Sequence, residues 1–331
     1  MDLPTALPLV FMAVMGLALL AYVILDGYDL GVGLLLPLAT DAEKDVMVAS
    51  IGPFWDANET WLVLGIGVLL IAFPLAHGVV LSALYLPVAI MLIGLVLRGV
   101  AFDFRVKARD EHKAAWNRLF SVGSAAAAIA QGWMLGSYLT GFELGAWQLA
   151  FDAFIALTLP TAYAMLGAGW LIIKTSDELQ AKAVRWARKV LWPMGAALAG
   201  ISIATPLVSR TVFDKWFVLP QFFALLPIPV ASAVAFMVGW HVIAEPRIVR
   251  AGYGWVVFAS TVAVFILAFF GLAYSLYPFI VIDRMTIWQA ASATESLVFI
   301  LIGVAITLPM TIGYTVFMYR VFRGKATALS Y

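Results

Sequence analysis

Cysteine is absent from the 331 residues, which excludes disulfides, thiolate nucleophiles, iron–sulfur ligation and Cys-based zinc sites together. Charge is nearly as scarce. Asp, Glu, Lys and Arg make up 12% of the chain, against about a quarter in an ordinary soluble domain. The formal net charge is +1 and the basic residues are scattered, so no patch is set out for nucleic acid. No Lys or Arg precedes Lys44. The N-terminus therefore lacks the basic n-region of a cleaved signal peptide, and the first apolar run is expected to be a retained span.

What is present is hydrocarbon. The chain is 64% hydrophobic with a mean hydropathy of +1.00, which identifies an all-α, polytopic integral membrane protein. Taking roughly 20 apolar residues per crossing, nine transmembrane helices are predicted at about 6–37, 53–75, 78–103, 118–140, 151–173, 189–209, 219–243, 252–277 and 295–321. Residues 1–331 are read as a single transmembrane domain: two four-helix bundles and a peripheral ninth helix, with no soluble domain. Short connections, such as the one around Ala76-His-Gly78, are expected to hold neighbouring spans antiparallel. Of the 20 Lys and Arg, all but Arg210, Lys215 and Arg284 fall in the connections after odd-numbered spans, in the flanks of those connections or in the C-terminal tail. The positive-inside rule then places the C-terminus in the cytoplasm and the N-terminus outside.

Against this background the carboxylates stand out. Asp26 and Asp29 lie in Leu25-Asp-Gly-Tyr-Asp-Leu-Gly-Val-Gly33, and Asp56 and Glu59 lie in Ile51-Gly-Pro-Phe-Trp-Asp-Ala-Asn-Glu-Thr-Trp61. Each pair is spaced i, i+3, which puts its members on one helical face. A charge at membrane depth costs at least about 2–3 kcal/mol and is rarely present without a partner or a task. With a rise of about 1.5 Å per residue, Asp26 lies roughly 16 Å from the cytoplasmic end of span 1. Asp103 falls at the inner end of span 3, with Arg98 deeper on the same span. This group can conduct protons from the cytoplasm, because each carboxyl can accept and release a proton without keeping a permanent charge. Arg98 as a purely structural counter-ion, and a sodium or substrate-ion site, are the competing readings.

Gly27, Gly31 and Gly33 read as close-packing positions between helices, and Pro53 as a helix start. Trp55 and Trp61 flank the acids; they either pack in the core or line a quinone tail or cofactor edge. His77, His112 and His241 are expected at different depths, which argues against a bis-histidine haem within the bundle. No metal ligand set is expected. Glu143, Asp152, Asp214 and Lys215 read as charges of the outer surface, as do Asp283 and Arg284 in the connection that precedes the last span.

Taken together, Asp26-Gly-Tyr-Asp-Leu-Gly-Val-Gly33, Ile51 to Trp61, Arg98-Gly-Val-Ala-Phe-Asp-Phe-Arg105, Tyr277-Pro-Phe279 and Thr286-Ile-Trp-Gln-Ala-Ala-Ser292 resemble subunit II of the cytochrome bd quinol oxidases. The resemblance runs in order over essentially the whole chain, and the chain's short length is similar to the cyanide-insensitive branch. It implies a bacterial inner-membrane complex that oxidises quinol and reduces dioxygen to water, electrogenic without pumping. In that family haem b and haem d are ligated by subunit I, so no cofactor is expected on this chain and no catalytic residue. The implied partners are the haem-bearing subunit I, single-span accessory subunits, quinol and membrane lipid, without nucleic acid. Some members also hold a structural quinone in this subunit. Positions that match the family's proton route are Asp56 and Asp103, with Asp26, Asp29, Glu59 and Arg98 nearby. A secondary transporter using the buried carboxylates, or an inert assembly scaffold, is the alternative.

Overall fold

In the computed structural model, which describes residues 2–326, the chain is a succession of helices. α1 (Leu3–Leu35) is followed by the short α2 (Asp41–Ile51), then α3 (Trp55–Ala72), the short α4 (Pro74–Ala83), α5 (Tyr85–Lys107), α6 (Asp110–Leu139), α7 (Ala146–Lys174) and α8 (Asp177–Val208). Next come α9 (Arg210–Trp216), α10 (Gln221–Leu225), α11 (Pro227–Ala244), α12 (Pro246–Ile248), α13 (Trp255–Leu276), α14 (Ile287–Ala290) and α15 (Thr294–Val321). Among the described residues nine helical stretches are long and apolar enough to cross a membrane, α10 and α11 together forming the seventh. The departure from helix is a two-stranded antiparallel ribbon, Phe279–Val281 with Met285–Thr286, that turns through Asp283 at φ 56°.

Packing sorts the spanning helices into two groups. α1, α3, α5 and α6 form the first and α7, α8, α11 and α13 the second, joined where α7 lies against α1 and α6; α15 leans from one side on α1 and α3. The α1–α7 crossing is made by glycine on both sides. A Cβ at Gly31 would stand 1.8 Å from the Tyr163 carbonyl oxygen, and one at Gly167 would stand 2.4 Å from the Gly31 carbonyl carbon. Backbones touching in this way are how helices associate in lipid, where no hydrophobic force separates one apolar face from another. Gly27 and Gly33 are closed in as well, by Tyr163 and Ser124, so all three glycines of the motif are packing positions.

Several helices start away from the bounds expected of them, α6 at Asp110 rather than 118 and α7 at Ala146 rather than 151 among them, and two of the departures have a clear local cause. The third crossing starts at Tyr85 rather than near 78, because Pro74 ends the α3 ladder at Phe73 (φ −133°, ψ 58°) and opens a helix of its own. Pro87 cannot donate to the carbonyl four residues back, so α4 and α5 remain separate helices. The connection around His77 is therefore a ten-residue helix, not a tight turn. α8 starts at Asp177 rather than 189: its basic first turns stay helical because Leu179, Ala183, Val184, Trp186 and Ala187 are buried against the core. A search for twenty consecutive apolar residues does not register such an amphipathic extension.

The end of the bundle where α1 finishes and α3 begins is tied by polar contacts. Glu43 on α2 accepts from the Thr40 backbone N–H at 2.8 Å, capping the helix, and pairs with Lys182 of α8 at 2.6 Å. Arg105 of α5 donates to Asp45 of α2 at 2.7 Å and to Asn117 of α6 at 2.5 Å. α2 is thus clamped across the mouth of the first bundle.

Candidate functional site

Four spans carry the acidic site. α1 brings Asp26 and Asp29, both fully buried; the first turns of α3 bring Asn58 and Glu59; α5 brings Arg98, 1% exposed; α15 brings Tyr319. Arg98 Nη2 lies 2.5 Å from Asp26 Oδ1 and also pairs with Glu59 Oε1, so one guanidinium bridges two helices. The approach to Asp26 is close but off the hydrogen-bond axis. Among the described residues neither oxygen of Asp26, nor Nε or Nη1 of Arg98, has a hydrogen-bond partner. Three carboxyl groups face one permanent cation. Proton binding there neutralises charge rather than creating it, which is the property a proton-carrying group needs inside hydrocarbon.

Asp29 is held differently. Its Oδ2 accepts from Asn58 Nδ2 at 2.8 Å, and that nitrogen also reaches the Tyr28 hydroxyl at 2.8 Å and the Leu25 carbonyl at 3.2 Å. The Tyr28 hydroxyl lies 2.6 Å from that of Tyr319, which in turn reaches Asn58 Oδ1 at 3.2 Å. One turn before Asp26, the buried Tyr22 hydroxyl accepts from Gln131 of α6 at 2.8 Å, and Gln131 accepts from Tyr163 of α7 at 2.5 Å. Polar side chains therefore continue from the acids toward the second bundle. Asn58, Tyr22, Tyr28, Gln131, Tyr163 and Tyr319 were not singled out from the sequence. Gln131 could have been, as an amide within an apolar span. A tyrosine in an apolar span carries no such signal.

Of the residues expected in the site, Asp26, Asp29, Glu59 and Arg98 come together. Asp56, in the first turn of α3, and Asp103, near the end of α5, are exposed on the surface of the chain. The i, i+3 pair on α3 is thus divided, with Glu59 turned to Arg98 and Asp56 facing out. Trp61 is 6% exposed and packs with Ala18 and Tyr22, as a core residue. Trp55 lies over Phe102 with ring centroids 5.2 Å apart and joins Ile51, Phe102 and Phe120 around a small pocket beside Arg98. Asp152, read above as an outer-surface charge, is 1% exposed: it accepts from Ser137 at 2.6 Å where α7 crosses α6 at Gly136. A short polar partner on the neighbouring helix, invisible in the sequence of α7, lets it be buried.

Outside the spans, burial pulls the Glu43 carboxyl upward, but hydrogen bonds from Lys182 and Thr40 outweigh it and leave the group below its ordinary range. Asp41, fully exposed, is also lowered, by the hydrogen bond from Lys44. His77 stands on α4, His112 near the start of α6 and His241 near the end of α11. Among the described residues no three His, Asp or Glu side chains gather to hold a metal ion.

Comparison with known proteins gives one answer. The family model described as cytochrome bd terminal oxidase subunit II matches residues 7–322. The chain is 28% identical over 325 residues to the cytochrome bd ubiquinol oxidase subunit 2 of Bacillus subtilis (strain 168), covering 92% of each chain. It is 24% identical over 355 residues to the cytochrome bd-I ubiquinol oxidase subunit 2 of Escherichia coli (strain K12), covering 94% of this chain and 93% of that one. In fold it is similar to a chain of the bd oxidase from Geobacillus thermodenitrificans, with a TM-score of 0.78 at 18% identity over 96% of this chain and 98% of that one.

Proposed function

The chain belongs to the cytochrome bd terminal oxidase subunit II family, and from that premise we propose that it conducts protons from the cytoplasmic face through Glu59, Asp26 and Asp29, gathered around Arg98, toward oxygen chemistry carried out in its partner, subunit I. As a member it is a membrane subunit of an oxidoreductase complex. The finer reading assigns quinol oxidation and dioxygen reduction to the complex and the haems to subunit I. In this chain the three histidines stand on three different helices, two of them exposed, so its residues do not fit an axial pair and no step is assigned to a haem here.

The observation that carries the reading is the set of three carboxyls around one buried guanidinium, two of them fully buried with unpartnered oxygens. Asp56 and Asp103 serve as the uptake end. Both are exposed on this chain although both lie within spanning helices. A carboxylate facing lipid is costly, so that side of the chain faces water or subunit I. From there a proton passes to Glu59, which is 28% exposed, and on to the fully buried Asp26, with Arg98 between them as the fixed charge that holds both carboxyls and itself keeps its proton. The distribution of Lys and Arg supports an N-terminus outside and a C-terminus inside. Of the two tryptophans that flank the acids, Trp55, half-buried against Phe102, is the one we assign to a quinone or cofactor edge, Trp61 being a core residue.

Replacing Asp56 by Asn in the assembled oxidase tests this. Haem content is expected to be retained while turnover and charge movement into proteoliposomes both fall about a hundredfold, the lower end of what a positioned proton-transfer group contributes. Oxygen consumption and charge translocation unchanged at full haem content would leave the acids as inert buried pairs and the chain as a scaffold.

A further inference from the structure

The last helix contributes one polar side chain to the acidic site, and its placement is over-determined. α15 presents Phe317, Tyr314 and Ile312 outward, all exposed, yet Tyr319 turns inward against Phe54, with ring centroids 4.7 Å apart. Its hydroxyl joins a closed ring with Tyr28 and Asn58. The donor order in that ring follows from Leu25. The Leu25 carbonyl can only accept, so the side of the Asn58 amide that faces it is nitrogen. Asn58 Oδ1 then accepts the one proton of the Tyr319 hydroxyl. Tyr28 must therefore donate to Tyr319 and accept from Asn58 Nδ2. That nitrogen has two hydrogens for three acceptors: the Tyr28 hydroxyl and Asp29 Oδ2, both at 2.8 Å, take one each, and the Leu25 carbonyl, farther off at 3.2 Å, shares one of them.

The segment after α15 is bound to the end of α7 by two lysines that cap each other's helices. Lys174 Nζ donates to the Phe322 carbonyl at 2.6 Å and sits 5.1 Å from the ring centre of Phe54 and 5.4 Å from that of Trp170. Lys325 Nζ donates to the carbonyls of Ile173 at 2.9 Å and Thr175 at 2.7 Å, and the Ala326 N–H reaches the Lys174 carbonyl at 2.6 Å. Ammonium groups at helix C-termini satisfy carbonyls that have no partner within the helix. Trp170, beneath Lys174, stacks on Tyr28 at 4.2 Å, so the latch and the ring share a wall.

We propose that Tyr319 is a positioning residue for Asp29: held in place by the reciprocal lysine caps between α7 and the chain after α15, it fixes through Tyr28 and Asn58 the N–H that faces this buried carboxyl. The inference rests on the reading that Asp29 takes part in proton transfer. The other ionisable groups around Asp29 are Asp26 on its own helix, Glu59 from α3 and Arg98 from α5, besides the two tyrosines. None of these is altered by changing Tyr319.

The test is Tyr319→Phe in the complete oxidase, which removes the hydroxyl and keeps the ring against Phe54. Haem content and the KM for quinol are expected to stay at wild-type values. Turnover should fall about fivefold, the size of one lost hydrogen bond, and the pH profile of turnover should be displaced. With Asp29→Asn already present, Tyr319→Phe should have no further effect. A wild-type pH profile, or a loss that adds in full to that of Asp29→Asn, overturns the proposal. Lys325→Gln, which loosens the latch and leaves the ring atoms in place, should displace the profile in the same sense by a smaller amount; no displacement overturns the latch. If Asp29→Asn alone leaves turnover and charge movement unchanged, the proton-transfer reading itself has failed. If Asp29→Asn slows the enzyme and Tyr319→Phe does not, only the positioning role has.

Discussion

Arg98 is the residue whose loss the structure prices most clearly. Its side chain is 2% exposed, that of Asp26 is fully buried and that of Glu59 is 28% exposed. Arg98→Met keeps most of the volume and removes the charge, leaving Asp26 buried without a counter-ion. Breaking a buried pair from one side costs about 3–5 kcal/mol, much of it the stranded charge rather than the lost attraction. At about 1.4 kcal/mol per factor of ten, the folded, assembled state should lose a hundred- to a few-thousand-fold in population. Glu59 can turn to water and adds little. The stranded charge should therefore be almost wholly that of Asp26, and Asp26→Asn in the Arg98→Met background should recover most of the loss. The assay is thermal unfolding of the purified complex at pH 7, followed by haem absorbance and light scattering, on the two single variants and the double. A single variant that melts with the wild type, or a double that melts as low as Arg98→Met, would refute the assignment of Arg98 as the neutralising centre.

Two further outcomes follow from the packing and from the polar clamp. Gly31→Ala places a Cβ 1.8 Å from the Tyr163 carbonyl oxygen, where ordinary contact is 3.4–4 Å. α1 and α7 must part, at a cost at or above the upper end of overpacking, about 3 kcal/mol. The variant should lower the melting temperature and the assembled yield, whereas Gly78→Ala, with open space around it, should change neither; equal stability of the two would sink the crossing geometry. Glu43 is lowered relative to its ordinary 4.5, so its clamp on Lys182 contributes fully above that pH and is lost as the pH falls through the lower folded-state value. Hydrogen exchange in α2, corrected for intrinsic rates, should accelerate on acidification from 4.5, and Glu43→Gln should abolish that dependence; a pH-independent α2 would contradict it.

The helical architecture was legible because bilayer length and apolar composition leave few alternatives. What composition could not convey was where a helix continues beyond hydrocarbon. α8 extends through Lys182 and Arg185 because one face still packs, and α4 exists because Pro74 and Pro87 cut one apolar run into two. The site was legible as far as formal charge marks it. Asp26, Asp29, Glu59 and Arg98 were found from that mark, and the glycines beside them from their spacing. Asp152 was misplaced for a related reason, since a lone acid near a span end looks solvated until Ser137 on another helix is seen to donate to one of its oxygens. The oxidase reading also displaces the transporter alternative, because the family match spans residues 7–322 and not the acidic motifs alone.

The neutral residues of the site were not legible, and they are the ones that give it direction. A carboxyl in hydrocarbon is indifferent to which neighbour it exchanges a proton with unless fixed dipoles distinguish them. Asp26 meets a cation and unpartnered space, whereas Asp29 meets an amide N–H whose orientation is set by the Leu25 carbonyl and two tyrosine hydroxyls. Two chemically identical groups one helical turn apart on α1 are thereby made unequal. That inequality comes from α3, α5 and α15, not from α1. The motif on the first span supplies the acids, and the surroundings that set them apart come from other helices, the next two spans and the last one.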